Sequence, residues 1–344
     1  MKNFYVDKLR EGMRVEDVFL VGGKSVGRTQ DGKLFVRLKL SDRAGAIDGI
    51  KWDATEALCS SLAVDDYVSV RGIVNKYKDK LQVLIDGVRK HTEDIDPADF
   101  IPATSKDISK MLADLRTIID TVQQPQLRGL LGYFFENAEF VAKFSTAPAA
   151  KAVHHAYIGG LLEHSLSVTQ LCDLVAGHYP ELDRDLLITT AALHDIGKIE
   201  EFSWTKTIQY TDAGHLVGHL VGGAMMVDAA AEELGDFHPF MRLLLKHMIL
   251  SHHGEYEFGS PKRPKTMEAL VLHHVEDMDA KVEMFAEAVG APGENADGEM
   301  WTERHWLLNR PLLKGLPKNM LRPRGEDEAE PKSGLNEESD PFAE

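Results

Sequence analysis

The sequence predicts an α+β multidomain protein: a small N-terminal β-barrel followed by an all-α domain. Three observations carry that prediction. Apolar and polar residues alternate across the first 90 positions, and apolar residues recur at helical spacing from residue 108 to about 315. An acidic, proline-bearing stretch separates the two patterns. A chain of 344 residues is long enough for two domains, each with its own core.

Residues 1–90 read as short strands. Phe35 to Leu40, Ala46 to Trp52, Tyr67 to Val74 and Leu81 to Ile85 alternate, with Asp-Gly and Lys-Asp-Lys turn signals nearby. About five antiparallel strands in such a length suit a Greek-key barrel of the OB kind. This region holds 17 Lys/Arg against 13 Asp/Glu, whereas the whole chain holds 39 against 55. The barrel is therefore the basic part of an acidic protein. Cations that track phosphates beside rings that stack on bases are what a single-strand groove needs. Phe35, Trp52 and Tyr77 are the aromatic candidates, although each also fits a barrel core. Polar neighbours make Trp52 and Tyr77 the ones expected at the surface.

Residues 91–107, with Pro97, Pro102 and four acids between Glu93 and Asp99, form the expected linker. Beyond it, Ile108, Met111, Leu112, Leu115, Ile118 and Ile119 trace one helix face, and Leu127 to Phe135 and Phe140 to Ala149 continue the helical character. Arg184 to Leu193 is an apolar helix that runs into Leu193-His194-Asp195-Ile196-Gly197-Lys198. Gly197 is expected to end that helix at positive φ, turning the dipeptide into a cavity with Lys198 beside it.

Thirteen of the fifteen histidines lie between His154 and His274. Many imidazoles in apolar helical settings are the footprint of a metal site. With no CxxC pair, nitrogen and oxygen ligands are expected, which suits Mn, Fe, Co, Ni, Zn or Mg. His215 and His219 are one helical turn apart and could share a face, His215 then supporting His219. His247 reads as a buried residue without a role. His154 and His155 could contact phosphate or base at a cavity mouth, or be plain loop histidines. Lys262 and Arg263, in a basic Pro-bounded loop, are candidate phosphate-backbone contacts.

The order of these residues resembles the HD phosphohydrolase superfamily. The carriers are His164 in Gly159-Gly160-Leu161-Leu162-Glu163-His164, the dipeptide His194-Asp195 followed by Gly197-Lys198, His219 before Gly222-Gly223, the pair His252-His253, and an acid in His274-Val275-Glu276-Asp277-Met278-Asp279-Ala280. The extra histidines match the two-metal branch. The family usually has Asp at the late position. Aligning on Asp279-Ala280 places Glu276 there, and Asp277 competes for the assignment.

Together with the barrel, the linker and the run Leu250 to Pro264, this pattern resembles the YhaM-type 3′–5′ exoribonucleases over roughly residues 5–315. The resemblance implies an HD metal-dependent phosphohydrolase domain over 108–315. It also implies two divalent cations, manganese favoured, and trimming of single-stranded RNA, and sometimes DNA, from the 3′ end. It implies a first metal held by His164, His194, Asp195 and Glu276. Asp195 would bridge to a second on His219, His252 and His253. Asp195 and Lys198 are the catalytic candidates. An HD hydrolase of small nucleotides, a dNTP or a cyclic dinucleotide, with the barrel as a regulatory module, is the alternative. A non-catalytic nucleic-acid-binding protein with a structural metal is the third reading.

Residues 316–344 read as an acidic disordered tail, with 8 acids and 4 bases from residue 318 on. The start, Met1-Lys2-Asn3-Phe4-Tyr5, lacks the apolar core of a secretory signal, and no apolar run approaches the roughly 20 residues that span a bilayer. With only two cysteines, Cys59 and Cys172, in different regions, a cytoplasmic protein with reduced thiols and no membrane contact is expected. A homo-oligomer is compatible with all of this.

Overall fold

The computed structural model describes residues 2–78, 80–151, 155–290 and 300–314. His154 and all of the expected acidic tail lie outside them. The chain divides after Lys281; Met1–Lys281 contains everything that concerns the sites below. From Val282 on, the described residues continue the last helix to Val289 and form bridges at Trp301–Leu313 and His305–Arg310. Among the described residues, no helix is long and apolar enough to cross a membrane.

Five strands, β1 (Arg14–Arg28), β2 (Leu34–Asp42), β3 (Gly45–Lys51), β4 (Tyr67–Tyr77) and β5 (Lys80–Lys90), close a barrel in the order β1-β2-β3-β5-β4. A short helix, α1 (Glu56–Ser61), joins β3 to β4. Four of the pairings are antiparallel, but the barrel is closed by a parallel one, Asp48↔Gln82 to Ile50↔Leu84. The all-antiparallel expectation is therefore corrected. Alternation fixes which face of a strand is buried and carries no information about a partner's direction. The inward residues, among them Phe19, Val36, Leu38, Leu40, Val70 and Val83, are almost fully buried and make one core.

The segment after β5 is a strap more than a loose linker. Phe100 packs edge-on against Tyr67, with ring centroids 4.7 Å apart, and the Asp99 carboxylate accepts from the Tyr5 hydroxyl. Ala103 then bridges to Ile158, and the Thr104 hydroxyl donates to Glu163 at 2.5 Å. One end thus holds the barrel and the other the helical region.

That region contains α2 (Ile108–Ile119), α3 (Pro125–Phe135), α4 (Ala138–Thr146), α5 (Gly160–His178), α6 (Arg184–Leu193) and α7 (Lys198–Glu201). A two-residue hairpin pair, β6 (Phe202–Ser203) and β7 (Gln209–Tyr210), leads to α8 (Asp212–Leu216), α9 (His219–Leu234), α10 (Pro239–Ser251) and α11 (Met267–Val289). Side chains cap the starts: Asp107, Asn137, Asp183 and Thr211 each accept a backbone N–H of the helix they precede. Helix α6 is central, with every residue from Leu186 to Leu193 buried. Burial of its Leu and Ile side chains contributes about 1.5–3 kcal/mol each. A helix sheathed on all sides makes a fixed platform for whatever leaves its C-terminus.

Gly197 corrects the sequence reading. Its φ is −61°, not positive. The residue is glycine because a Cβ there would lie 2.2 Å from the His219 carbonyl oxygen. Close approach of α7 to α9, and not a left-handed turn, is what the position requires.

Candidate metal centre

Two helix ends deliver ligands by the same device. His194 follows the last residue of α6, and its Nδ1 donates to the Ala191 carbonyl at 2.8 Å. His252 follows α10, and its Nδ1 donates to the Ile249 carbonyl at 2.9 Å. Each ring takes up a carbonyl that the helix terminus leaves unpaired. A neutral imidazole that donates from Nδ1 has its lone pair on Nε2. The other three rings are fixed alike. The Nδ1 of His164, in α5, bonds Asp279 at 2.8 Å. That of His219, at the start of α9, bonds Glu201 at 3.0 Å, and that of His253 donates to the Phe258 carbonyl at 3.1 Å.

Four of the Nε2 atoms consequently lie within 4 Å of Asp195, in the turn between α6 and α7, and that of His253 meets His219. One carboxylate oxygen lies 3.4 Å from His194 Nε2 and 3.7 Å from His164 Nε2. The other lies 3.5 Å from His252 and 3.6 Å from His219. The Nε2 atoms of His164 and His194 are 3.3 Å apart, and those of His219 and His253 are 3.4 Å apart. Two lone pairs facing one another with no proton between them are repulsive. With ligand bonds of 2.0–2.2 Å, atoms around one cation lie roughly 3–3.5 Å apart, so such a cation turns each repulsion into coordination. Asp195 is buried; one of its oxygens meets the Lys198 ammonium at 2.6 Å, the other accepts no hydrogen bond, and the buried His252 Nε2 has no partner either. Orphaned polar atoms of that kind are costly unless something fills the place. The donor set fits a divalent cation of intermediate hardness.

Electrostatics agree. Burial lowers His164 and His253 to about 4 and His252 well below its usual range, so these rings are neutral at pH 7, the form that can ligate a metal. Burial alone would raise the Asp195 carboxyl. The charges of Lys198, His194 and His219 outweigh it and hold Asp195 well below the usual carboxylate range. Burial also opposes the charged form of His194, but the Asp195 carboxylate raises it. Lys198 Nζ sits 2.6 Å from Asp195.

Three groups of side chains lie close enough to share an ion: His164 with His194 and Asp195, His219 with His252 and His253, and His155 with His164 and Asp279. Six of the seven expected ligands thus converge. Glu276 belongs to none of these groups. Its carboxyl is nonetheless pushed up to about 7, by burial and then by the negative charge of Asp195. Asp277, its competitor, is paired with Lys281 at 2.7 Å.

Other expectations change. His215 is exposed against Tyr210, their ring centroids 5.2 Å apart, because α8 ends at Leu216 and the chain turns at Gly218 before α9. Glu201 supports His219 instead. His247 is half-buried and accepts the Lys265 backbone N–H at 2.9 Å. Three supports escaped the sequence reading. Asp279 holds His164 and accepts from Ser167, Glu201 holds His219, and His273 donates to the His252 carbonyl at 2.9 Å. Replacing Asp279 by Asn is expected to weaken metal binding by about 10- to 100-fold, with the fold kept. Isothermal titration of the metal-free variant with Mn²⁺ checks this, and unchanged affinity refutes the support role.

On the barrel, Trp52 and Tyr77 are exposed, and half-buried Phe35 lies against Trp52 with centroids 5.2 Å apart. Arg37 stands 5.4 Å over the Phe35 ring. A cleft of about 440 Å³ between Lys24, Arg37, Lys39, Tyr77 and Gln82 opens on the barrel wall. Lys262 is exposed, whereas Arg263 is committed to Glu255 at 2.7 Å and to the Tyr256 ring at 5.1 Å.

Comparison with known proteins agrees with this architecture. The HD domain family matches residues 161–281, and the OB-fold nucleic acid binding domain family matches residues 19–90. The chain is 34% identical to the 3′–5′ exoribonuclease YhaM of Bacillus velezensis over 88% of its own length and 95% of that protein. The chain belongs to the YhaM family. The YhaM proteins of Bacillus subtilis and a Geobacillus species are each 33% identical, over 88% and 90% of this chain and 95% and 94% of theirs. This YhaM-family chain thus joins an OB-fold barrel to a helical HD domain that carries a divalent-metal site of His and Asp residues.

Proposed function

We propose that this chain is a metal-dependent 3′–5′ exoribonuclease that hydrolyses single-stranded RNA, and single-stranded DNA as well, to nucleoside 5′-monophosphates. The observation that carries the reading is the buried Asp195 carboxylate, which turns one oxygen to each pair of imidazoles. In this assignment His164, His194, Asp195 and Glu276 hold one divalent cation. His219, His252 and His253 hold a second, shared through Asp195. Manganese suits the mixed imidazole and carboxylate set, and Mg, Co, Fe, Ni and Zn remain open. When bound, the cations supply Lewis acidity towards water and towards the scissile phosphate.

The chain's own residues do the rest. The Nδ1 partners fix all five rings before substrate arrives. Lys198 offers a positive charge where negative charge grows on a phosphate oxygen. The barrel, through Trp52, Tyr77, Phe35 and its lysines and arginines, retains the strand while the HD domain removes nucleotides. The division into barrel, strap and catalytic domain is part of this proposal. So is a cytoplasmic location, which two buried free thiols, Cys59 and Cys172, support.

The test uses 5′-labelled single-stranded RNA. With Mn²⁺ a ladder shortened from the 3′ end and nucleoside 5′-monophosphates are expected, and with EDTA intact RNA. The pair Trp52→Ala and Tyr77→Ala is expected to raise KM by about 5- to 100-fold with little change in kcat. Intact RNA alongside turnover of a dNTP or cyclic dinucleotide would reject this reading for the small-nucleotide hydrolase. RNA binding without any turnover would leave only a binding protein.

A further inference from the structure

Within the cluster, His164, His194, Asp195, Lys198 and His252 are buried, whereas His219, His253 and Glu276 keep part of their surface. His219 and His253 therefore border one way into the centre. Beside that opening the chain does something costly. After His253 it makes a single helical turn, Tyr256–Phe258, and leaves both rings in solvent, 61% and 60% exposed. Next to the other ring, just before Gly218-His219, Leu216 and Val217 are likewise bare at 85% and 49%.

The aromatic turn is anchored. The Phe258 carbonyl accepts from His253 Nδ1 at 3.1 Å, and buried Ser260 donates to the Leu250 carbonyl at 3.0 Å. Arg263 lies over the Tyr256 ring at 5.1 Å and pairs with Glu255 at 2.7 Å. A turn tied to a ligand at one end and to the core at the other does not expose two large rings through slackness. Apolar area held in water gains nothing within the chain, so its return must come from a bound partner. The rings are flat, that of Tyr256 lies under a guanidinium, and both follow closely on partly exposed His253 at the edge of a phosphate-cleaving centre. Unpaired bases stack on such surfaces whatever their sequence.

We propose that Tyr256 and Phe258 form a stacking platform for the 3′-terminal base, faced by Leu216 and Val217, which seats the last phosphate over the metal centre. This rests on the exoribonuclease reading and adds to it a binding subsite that prefers unpaired, base-bearing ends. The platform is distinct from the barrel, which would hold the strand farther from its end.

The experiment compares two oligoribonucleotides that differ only in whether the 3′-terminal residue carries a base or is an abasic ribose. The holoenzyme is expected to lose about 10- to 100-fold in kcat/KM on the abasic end. Tyr256→Ala and Phe258→Ala are expected to lose as much on the base-bearing end and nothing further on the abasic one, while Tyr256→Phe behaves as wild type. Both alanine variants keep the Phe258 carbonyl that holds His253, so metal content and melting temperature are expected to stay unchanged. Equal wild-type rates on the two ends, or alanine variants that lose equally on both, overturn the platform. If the wild type shortens neither strand, the exoribonuclease reading fails, and the platform with it.

Discussion

Asp195→Asn is expected to lower kcat/KM on single-stranded RNA by at least about 10³-fold, some 4 kcal/mol of barrier, in a protein that still folds and still binds the strand. The substitution is nearly isosteric, so packing around the turn between α6 and α7 is preserved. What disappears is the one negative charge towards which four imidazoles, of His164, His194, His219 and His252, converge at 3.4–3.7 Å. An amide presents one carbonyl oxygen and an NH₂ group where the carboxylate presents two anionic oxygens. It can face one imidazole pair as an acceptor but not both. Without metal, the variant is expected to melt near the wild type. It loses the cost of burying a carboxylate charge and also the 2.6 Å ion pair with Lys198, and the two changes oppose each other. With Mn²⁺ the two proteins should separate, since a ligand that binds only the folded state stabilises it by about 2.7 kcal/mol at a hundredfold excess over Kd. Wild type should gain that and Asp195→Asn little of it. A folded variant with near-normal turnover would remove the shared-carboxylate assignment.

How much of this was legible beforehand depends on what kind of constraint each residue obeys. The histidines that cluster were readable because imidazole is a scarce side chain and its order along the chain carries the pattern. Their supports were not. Glu201 and Asp279 act on Nδ1 atoms that come from 18 and 115 positions away, and a carboxylate brought in by tertiary packing leaves no spacing to find. His215 misled because a four-residue interval implies one face only if one helix spans it. Here Gly218, at φ +77°, separates two helices. The barrel showed the same division. Its strands and inward faces followed from alternation, and the exposure of Trp52 and Tyr77 from their polar neighbours. The parallel closure of β3 on β5 is a property of topology that no local pattern encodes. Arg263 was read as a phosphate contact from charge alone, and its packing on Tyr256 depends on a turn that sequence does not specify.

Gly197→Ala distinguishes two physical accounts of one residue, and they predict opposite signs. The position has φ −61° and opens α7, so backbone propensity alone favours alanine by up to about 1 kcal/mol. Space argues the other way. The added Cβ would stand 2.2 Å from the His219 carbonyl oxygen and 2.7 Å from the Gly223 nitrogen, both backbone atoms of α9 that cannot swing aside. Relief requires α7 and α9 to part by about an ångström, and overpacking of that kind costs typically 1–3 kcal/mol and sometimes more. The clash wins, and melting should fall by about 5–10 °C. The same displacement carries His219 away from Asp195, now 3.6 Å distant, so activity should fall by about 10²-fold beyond any loss of folded protein. Gly223→Ala is the internal control. Its Cβ would meet Gly197 N at 3.4 Å, Ile249 Cγ2 at 3.6 Å and Gly197 Cα at 3.7 Å, ordinary contacts, and a helix interior gains from losing a glycine. That variant should melt no lower than wild type and keep its activity. Thermal melts and single-strand digestion of both proteins check the pair. A Gly197→Ala enzyme as stable and active as its parent would show that these two helices are not held at the distance on which the second set of ligands depends.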